Sequence, residues 1–324
     1  MVTIALAIQQ FLESVALARS ERTATTYRFA LKTFTTVLED HDVNPAETPV
    51  DELSEDAVAW FAVALKPYAP TTERLYLTAI TMFYKFLVAE RLSSSNLPRV
   101  QMLIHQRARR LGKRLPQFNR YEIEDVINYA INIAIPSSED EAERFRCMRD
   151  RAFLIVLADT GLRVHEACHL RRGDVDWNEG KAIVIGKGNK EAVIRLSTRS
   201  LTYLKDYLNA RSKLDGASGK HLTSLPLFAR HDKGAGKKIK PITTTTGRNI
   251  VKQRVGEALG EEAVGTITPH SFRHYFVTRV LQASGNLKLA QELARHQNIS
   301  VTQRYAHLSD DELDKGYYEV FEEN

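Results

Sequence analysis

The chain has 324 residues, enough for two domains. Apolar residues make up 43% and charged residues 26%, which excludes long disordered stretches and leaves material for two separate cores. Lys and Arg number 45 against 40 Asp and Glu, a net charge of +5 that permits a polyanionic partner without demanding one.

The first ninety residues read as helices throughout. Ile4, Ile8, Phe11, Leu12 and Val15 recur at helical spacing, as do Tyr27, Leu31, Phe34 and Leu38. Val58, Phe61, Ala62 and Leu65 form a third apolar stripe, stopped by Pro67 and Pro70. Tyr76, Ile80, Phe83 and Leu87 form a fourth, so residues 1–92 are expected to be a four-helix domain. Residues 93–117 read as an interdomain linker. It begins Ser93-Ser94-Ser95-Asn96, and the stretch from Arg99 to Arg120, which runs just past it, holds seven basic residues and no acidic one. Its short apolar segment, Val100 to Ile104, could dock on a domain, leaving Arg107, Arg109, Arg110, Lys113 and Arg114 to lie along a phosphate backbone.

Residues 118–324 form the second domain, expected to be α+β: mainly α, with a small antiparallel sheet. Tyr121 to Ile135 and Arg151 to Thr160 read as helices around an acidic loop, Pro136 to Glu141. Ala182 to Ile185 and Ala192 to Ile194 are β-rich runs flanking Gly186-Lys187-Gly188-Asn189-Lys190, a hairpin signal. A second basic run, Arg230 to Arg254, contains eight basic residues against Asp232 and includes Lys237, Lys238 and Lys240 as candidate phosphate contacts. Helical spacing returns after Thr198 and again from Ser271. Ser309 and Glu312 have capping-box spacing before an apolar stripe of Leu313, Tyr317, Val320 and Phe321, which predicts a tail helix over 309–322.

No run of about eighteen apolar residues occurs, and the start of the chain lacks the basic stretch of a signal peptide. Cys147 and Cys168 are the only cysteines and lack metal-ligand spacing. A reduced, cytoplasmic setting is therefore expected, with both thiols packed as small apolar groups.

Four groups could carry chemistry. Arg163 lies three residues before Glu166, a spacing at which a carboxylate can hold a guanidinium. Lys187 stands between two glycines on the hairpin tip, without the spaced glycines of a nucleotide loop, so ATP binding is not expected. Pro269 should open a helix that places His270 and Arg273 one turn apart near its anion-favouring N-terminus. His296 and Tyr305 follow in a further helical region. Taken singly, each has an ordinary structural explanation. As a set they match what phosphodiester cleavage without a metal requires. Arginines neutralise the phosphate oxygens, a phenol attacks, and lysine and histidine move protons. No carboxylate cluster for Mg²⁺ and no Cys/His zinc spacing is evident, so no metal or other cofactor is expected.

Thr160-Gly161-Leu162-Arg163-Val164-His165-Glu166, the GKGNK segment, His270-Ser271-Phe272-Arg273-His274 and Thr302-Gln303-Arg304-Tyr305-Ala306-His307 resemble the boxes of the tyrosine recombinase (integrase) family, most closely the Xer recombinases. The likeness covers nearly the whole chain, because the first domain resembles the family's core-binding domain. It implies that Arg163 and Arg273 hold the scissile phosphate and Lys187 protonates the leaving 5′-hydroxyl. His270 would be the general base, His296 a donor to phosphate and Tyr305 the nucleophile that forms a 3′-phosphotyrosyl bond. Glu166 would support Arg163.

The implied partners are double-stranded DNA gripped between the two domains, and further copies of the chain in a tetramer on two DNA sites, joined through the tail helix. That helix could instead fold back on its own domain. A second recombinase or accessory protein could also take part; a membrane would not. The chain starts directly with the core-binding helices, which leans towards nucleoid-associated resolution of chromosome or plasmid dimers. Integration of a mobile element, or DNA binding without catalysis, are the alternatives. One departure stands out: members of the family carry glycine before the third-box histidine, where this chain has Arg295.

Overall fold

A computed structural model describes residues 1–109, 120–137, 140–186, 190–232 and 238–303. The chain divides into two compact units, Met1–Arg114 and Leu115–Asn324.

In the first unit, α1 (Ile4–Ala18) and α2 (Glu21–Glu39) begin at Thr3 and Ser20, whose hydroxyls accept from backbone N–H groups of the first turn. After α3 (Asp56–Ala64), α4 (Pro70–Ala89) opens on a proline, whose missing N–H costs nothing at that position. The four stripes converge. Phe11 meets Tyr27, Phe83 and Phe86, and Phe34 meets Phe61 edge-on. Each such side chain taken out of water contributes roughly 1.5–3 kcal/mol. The structure corrects the linker expected from residue 93, because α5 (Leu97–Arg107) is a fifth helix of this unit. Asn96 caps it, and its Val100 and Leu103 are buried in the same core.

The second unit starts with α6 (Arg120–Ile131) and α7 (Glu141–Thr160). Helix α7 begins ten residues before the expected Arg151, because Asp140 accepts from the Glu143 N–H as its cap. All residues from Ala152 to Ala158 are buried, so this stretch lacks the one-sided periodicity of a surface helix. Helix α8 (Val164–His169) follows, then a sheet of β1 (Val175–Asp176), β2 (Lys181–Ile185) and β3 (Glu191–Arg195) in that order, all antiparallel. Ile183 pairs with Val193 and Val184 with Ala192. The expected hairpin is present up to Gly186 and from Lys190 onward.

Beyond it come α9 (Thr198–Ala210), α10 (Ser212–Gly216), α11 (Thr244–Leu259), α12 (Pro269–Ser284), α13 (Leu287–Ala294) and α14 (Ile299–Gln303). Helix α11 escaped the sequence reading because threonines, poor helix formers, open it and its buried stripe includes Gly247 and Arg254. Both cysteines are free and buried, and burial pushes the Cys168 thiol up to about 12. Among the described residues no helix is long and apolar enough to cross a membrane.

Candidate active site

Helix α7 ends at Gly161, where the chain turns sharply into the left-handed region at φ 58°. A β-carbon there would sit 2.5 Å from the Phe276 ring, so only glycine fits. The turn delivers Arg163 to the position just before α8. Arg163 and Glu166 were expected on one helical face; the structure makes their relation a cap instead. The Arg163 backbone N–H donates to Glu166 Oε2 and its Nη1 donates to Oε1, both at 2.9 Å. The Glu166 side chain is 1% exposed, whereas that of Arg163 is 41% exposed.

Thr268 and Ser271 form a reciprocal cap at the start of α12, and Pro269 is its first residue as expected. His270 and Arg273 therefore stand one turn apart. His270 is exposed, while Arg273 is buried and held by two carbonyls. Its Nη1 donates to Gly161 O at 2.6 Å, and its Nη2 donates to Ala294 O. The glycine turn and the end of α13 thus aim the second arginine. His296 lies between α13 and α14 and not within a helix, because Arg295 adopts a left-handed conformation at φ 57° and stops α13. The His296 ring is fixed by a 2.8 Å hydrogen bond between Nδ1 and the hydroxyl of buried Thr302, three residues ahead of Tyr305.

Arg163, His270 and Arg273 line one cleft of about 540 Å³, together with Arg248 and Lys252 of α11. Among the described residues that line it, four side chains are cationic and none is a carboxylate. The field in this cleft favours an anion strongly, since low-dielectric walls concentrate it. The same field acts on the histidines. Desolvation, then Arg273 and Arg163, hold His270 below its ordinary range. His296 is pushed down to about 4 by desolvation and then the same two arginines. Both rings are neutral near pH 7, so His270 can accept a proton. The hydrogen bond with Thr302 occupies Nδ1 of His296, which leaves Nε2 as the ring nitrogen for a ligand.

Residues 134–312 match the phage integrase family, and residues 8–91 match the phage integrase N-terminal SAM-like domain. The chain belongs to the phage integrase family. Tyrosine recombinase XerC of Halalkalibacterium halodurans is 32% identical over 248 residues, covering 76% of this chain and 74% of the relative. Tyrosine recombinase XerD of Oceanobacillus iheyensis is 27% identical over 307 residues, 94% of each chain. Among solved structures, the XerH site-specific recombinase bound to difH substrate in its pre-cleavage complex shares the fold, with a TM-score of 0.67 at 20% identity, over 94% of this chain and 83% of that one. Membership makes this chain a tyrosine recombinase, a DNA strand-exchange enzyme.

The recombinase thus brings three of its six expected catalytic side chains into one cleft, with His296 near enough to feel the charges of Arg273 and Arg163. Lys187 and Tyr305 lie outside the described residues, as do Arg110, Lys113, Arg114, Lys237 and the tail helix. Lys238 and Lys240 are exposed. Arg107 is half-buried, and its carbonyl accepts from Lys66 Nζ. Arg109, expected along DNA, is engaged within its own unit, where its guanidinium donates to Glu73 and to Tyr68 O. Glu73 is 1% exposed, and a buried carboxylate requires such a partner. Sequence reasoning missed Arg248, Lys252, Thr302 and the carbonyls of Gly161 and Ala294. Arg248 and Lys252 lay within the second basic run, but without α11 nothing directed them to this cleft.

Proposed function

We propose that this recombinase cleaves and rejoins DNA through a 3′-phosphotyrosyl intermediate at Tyr305. The observation that carries this is the cleft that holds Arg163, Arg273 and His270, with four cations and no carboxylate among the described residues that line it. In the reaction the Tyr305 oxygen attacks the scissile phosphorus and its proton passes to neutral His270. Arg163 and Arg273 neutralise the non-bridging oxygens, His296 donates a hydrogen bond to one of them, and the bond to the 5′-oxygen breaks as Lys187 protonates it. The new phosphotyrosyl ester keeps the energy of the broken linkage. A 5′-hydroxyl of a partner strand can reverse the step without ATP or a metal.

The similarity to XerC and XerD supports a cellular role in resolving chromosome or plasmid dimers on the nucleoid. By the same likeness the enzyme grips double-stranded DNA between its two domains and acts as a tetramer on two sites, each tail helix over 309–322 packing into a neighbouring copy.

A pool of nicked duplexes with randomised half-sites tests the chemistry, because cleavage next to the nick releases a short fragment and traps the covalent adduct. Expected is an SDS-resistant adduct with wild type and none with Tyr305→Phe, and sequencing of the trapped DNA then gives the recognition site. An adduct that survives Tyr305→Phe, or none with wild type, contradicts the reading.

A further inference from the structure

Arg295 occupies a backbone position suited to glycine. Among the described residues only Asp42 and Arg91 share a positive φ without being glycine, and both are exposed. The Arg295 side chain instead turns inward and is 13% exposed. An L side chain in this region crowds the backbone, and the closing turn of α13 holds it there, the Arg295 N–H donating to Glu292 O and the His296 N–H to Gln291 O. The side chain reaches Glu166: Arg295 Nη2 donates to Oε2 at 2.9 Å, beside the donation from the Arg163 backbone to the same oxygen. Among the described residues, Nε and Nη1 of Arg295 are buried without a partner, so the donation to Glu166 is the side chain's hydrogen bond there.

Charge explains the arrangement. Glu166 and Arg163 alone form a neutral pair, which weakens the field that Arg163 offers a phosphate. Adding Arg295 gives the trio a net charge of +1 and puts a second, cationic donor on Oε2. Burial alone would raise the Glu166 carboxyl; the charge of Arg295 and the hydrogen bonds and charge of Arg163 hold it down instead.

We propose that Arg295 is a positioning residue that clamps and neutralises Glu166, so that Arg163 meets the scissile phosphate held in place and with its positive charge undiminished. This rests on the phosphate-cleaving reading above.

The test is a cycle of Arg295→Gly, Arg295→Lys, Glu166→Gln and the double variant Glu166→Gln/Arg295→Gly. Single-turnover adduct formation is measured on the nicked duplex recovered from the pool, alongside DNA affinity. Arg295→Gly should slow adduct formation about 10- to 100-fold, as loss of an electrostatic contribution at a reacting group does, with affinity within about twofold. Arg295→Lys should recover at least about a third of the rate, because it restores the charge. In the Glu166→Gln background the glycine change should cost less than about threefold, since the carboxylate it acts through is gone.

A wild-type rate for Arg295→Gly overturns the proposal. So does a lysine variant as slow as the glycine variant, or a glycine effect that stays undiminished in the Glu166→Gln background. Circular dichroism checks folding; should the glycine variant be unfolded, the lysine variant at or above about a third of the wild-type rate supports the proposal and a slower one overturns it. If wild type itself forms no adduct, the functional reading has failed, and the clamp is judged on inorganic pyrophosphate by calorimetry. About tenfold weaker, Arg163-dependent binding in Arg295→Gly supports it; equal binding, or none that depends on Arg163 in wild type, overturns it.

Discussion

Glu166 and Asp215, two of the buried carboxylates in the second unit, each take two arginines, and they differ in what those arginines do next. Asp215 accepts from Arg172 and from Arg211, whose side chain is fully buried. Every side-chain nitrogen of Arg211 is engaged: Nε on Asp215, Nη1 on the Tyr207 hydroxyl and Leu227 O, Nη2 on Pro226 O. That network ties α9 and α10 to the chain around 226–227 and holds no cation out to solvent. At Glu166, Arg163 remains 41% exposed in a cationic cleft; among the described residues both sites keep buried atoms unpaired, Asp215 Oδ1 in one and Nε and Nη1 of Arg295 in the other. A network whose central cation is fully buried supports the fold, whereas one that holds a cation out to solvent leaves charge available to a ligand.

Substitutions can break that distinction. Arg211→Ala leaves Asp215 with a single partner and should destabilise the chain by about 3–5 kcal/mol, measured by urea unfolding. Arg163→Ala should lower adduct formation by about 10²–10³, while the urea midpoint moves much less, because Glu166 keeps Arg295. Equal losses of stability from the two would erase the contrast.

Acid provides a third test. Burial, then Arg149 and Arg211, push His231 beside the Asp215 network down to about 3. The unfolded chain takes up its proton near the ordinary value of about 6.5, so stability should be full above that pH and fall as pH drops towards 3. For His231 alone the loss is about 2–3 kcal/mol between pH 6.5 and 4.5, and His231→Gln should flatten the slope of urea stability against pH. The smallest effect is Thr268→Ala, which removes the cap of α12 at about 1 kcal/mol of thermal stability without touching a cation.

Much of this was legible in the residues. The four apolar stripes of the first unit were readable because each of those helices buries one side. Helix α7 was seen only in part and α11 was missed, since the first is buried all round and the second buries a glycine and an arginine. Pro269 announced the start of α12, and with it the one-turn spacing of His270 and Arg273. The second support of Arg273 was not legible, because a carbonyl at Ala294 becomes an acceptor only once α13 ends beside it. Arg295 was visible as a departure from the family's glycine. Its inward turn onto Glu166, 129 positions earlier in the chain, belongs to tertiary structure alone.

The most direct measurement is mass spectrometry of the protein trapped on the nicked duplex and digested with nuclease and protease. Expected is a nucleotide joined through a 3′-phosphate to Tyr305, absent in Tyr305→Phe and strongly reduced in Arg163→Ala. A nucleotide on any other residue, or an unmodified Tyr305 in DNA-linked protein, would contradict the assignment of this cleft as a phosphotyrosyl-forming site.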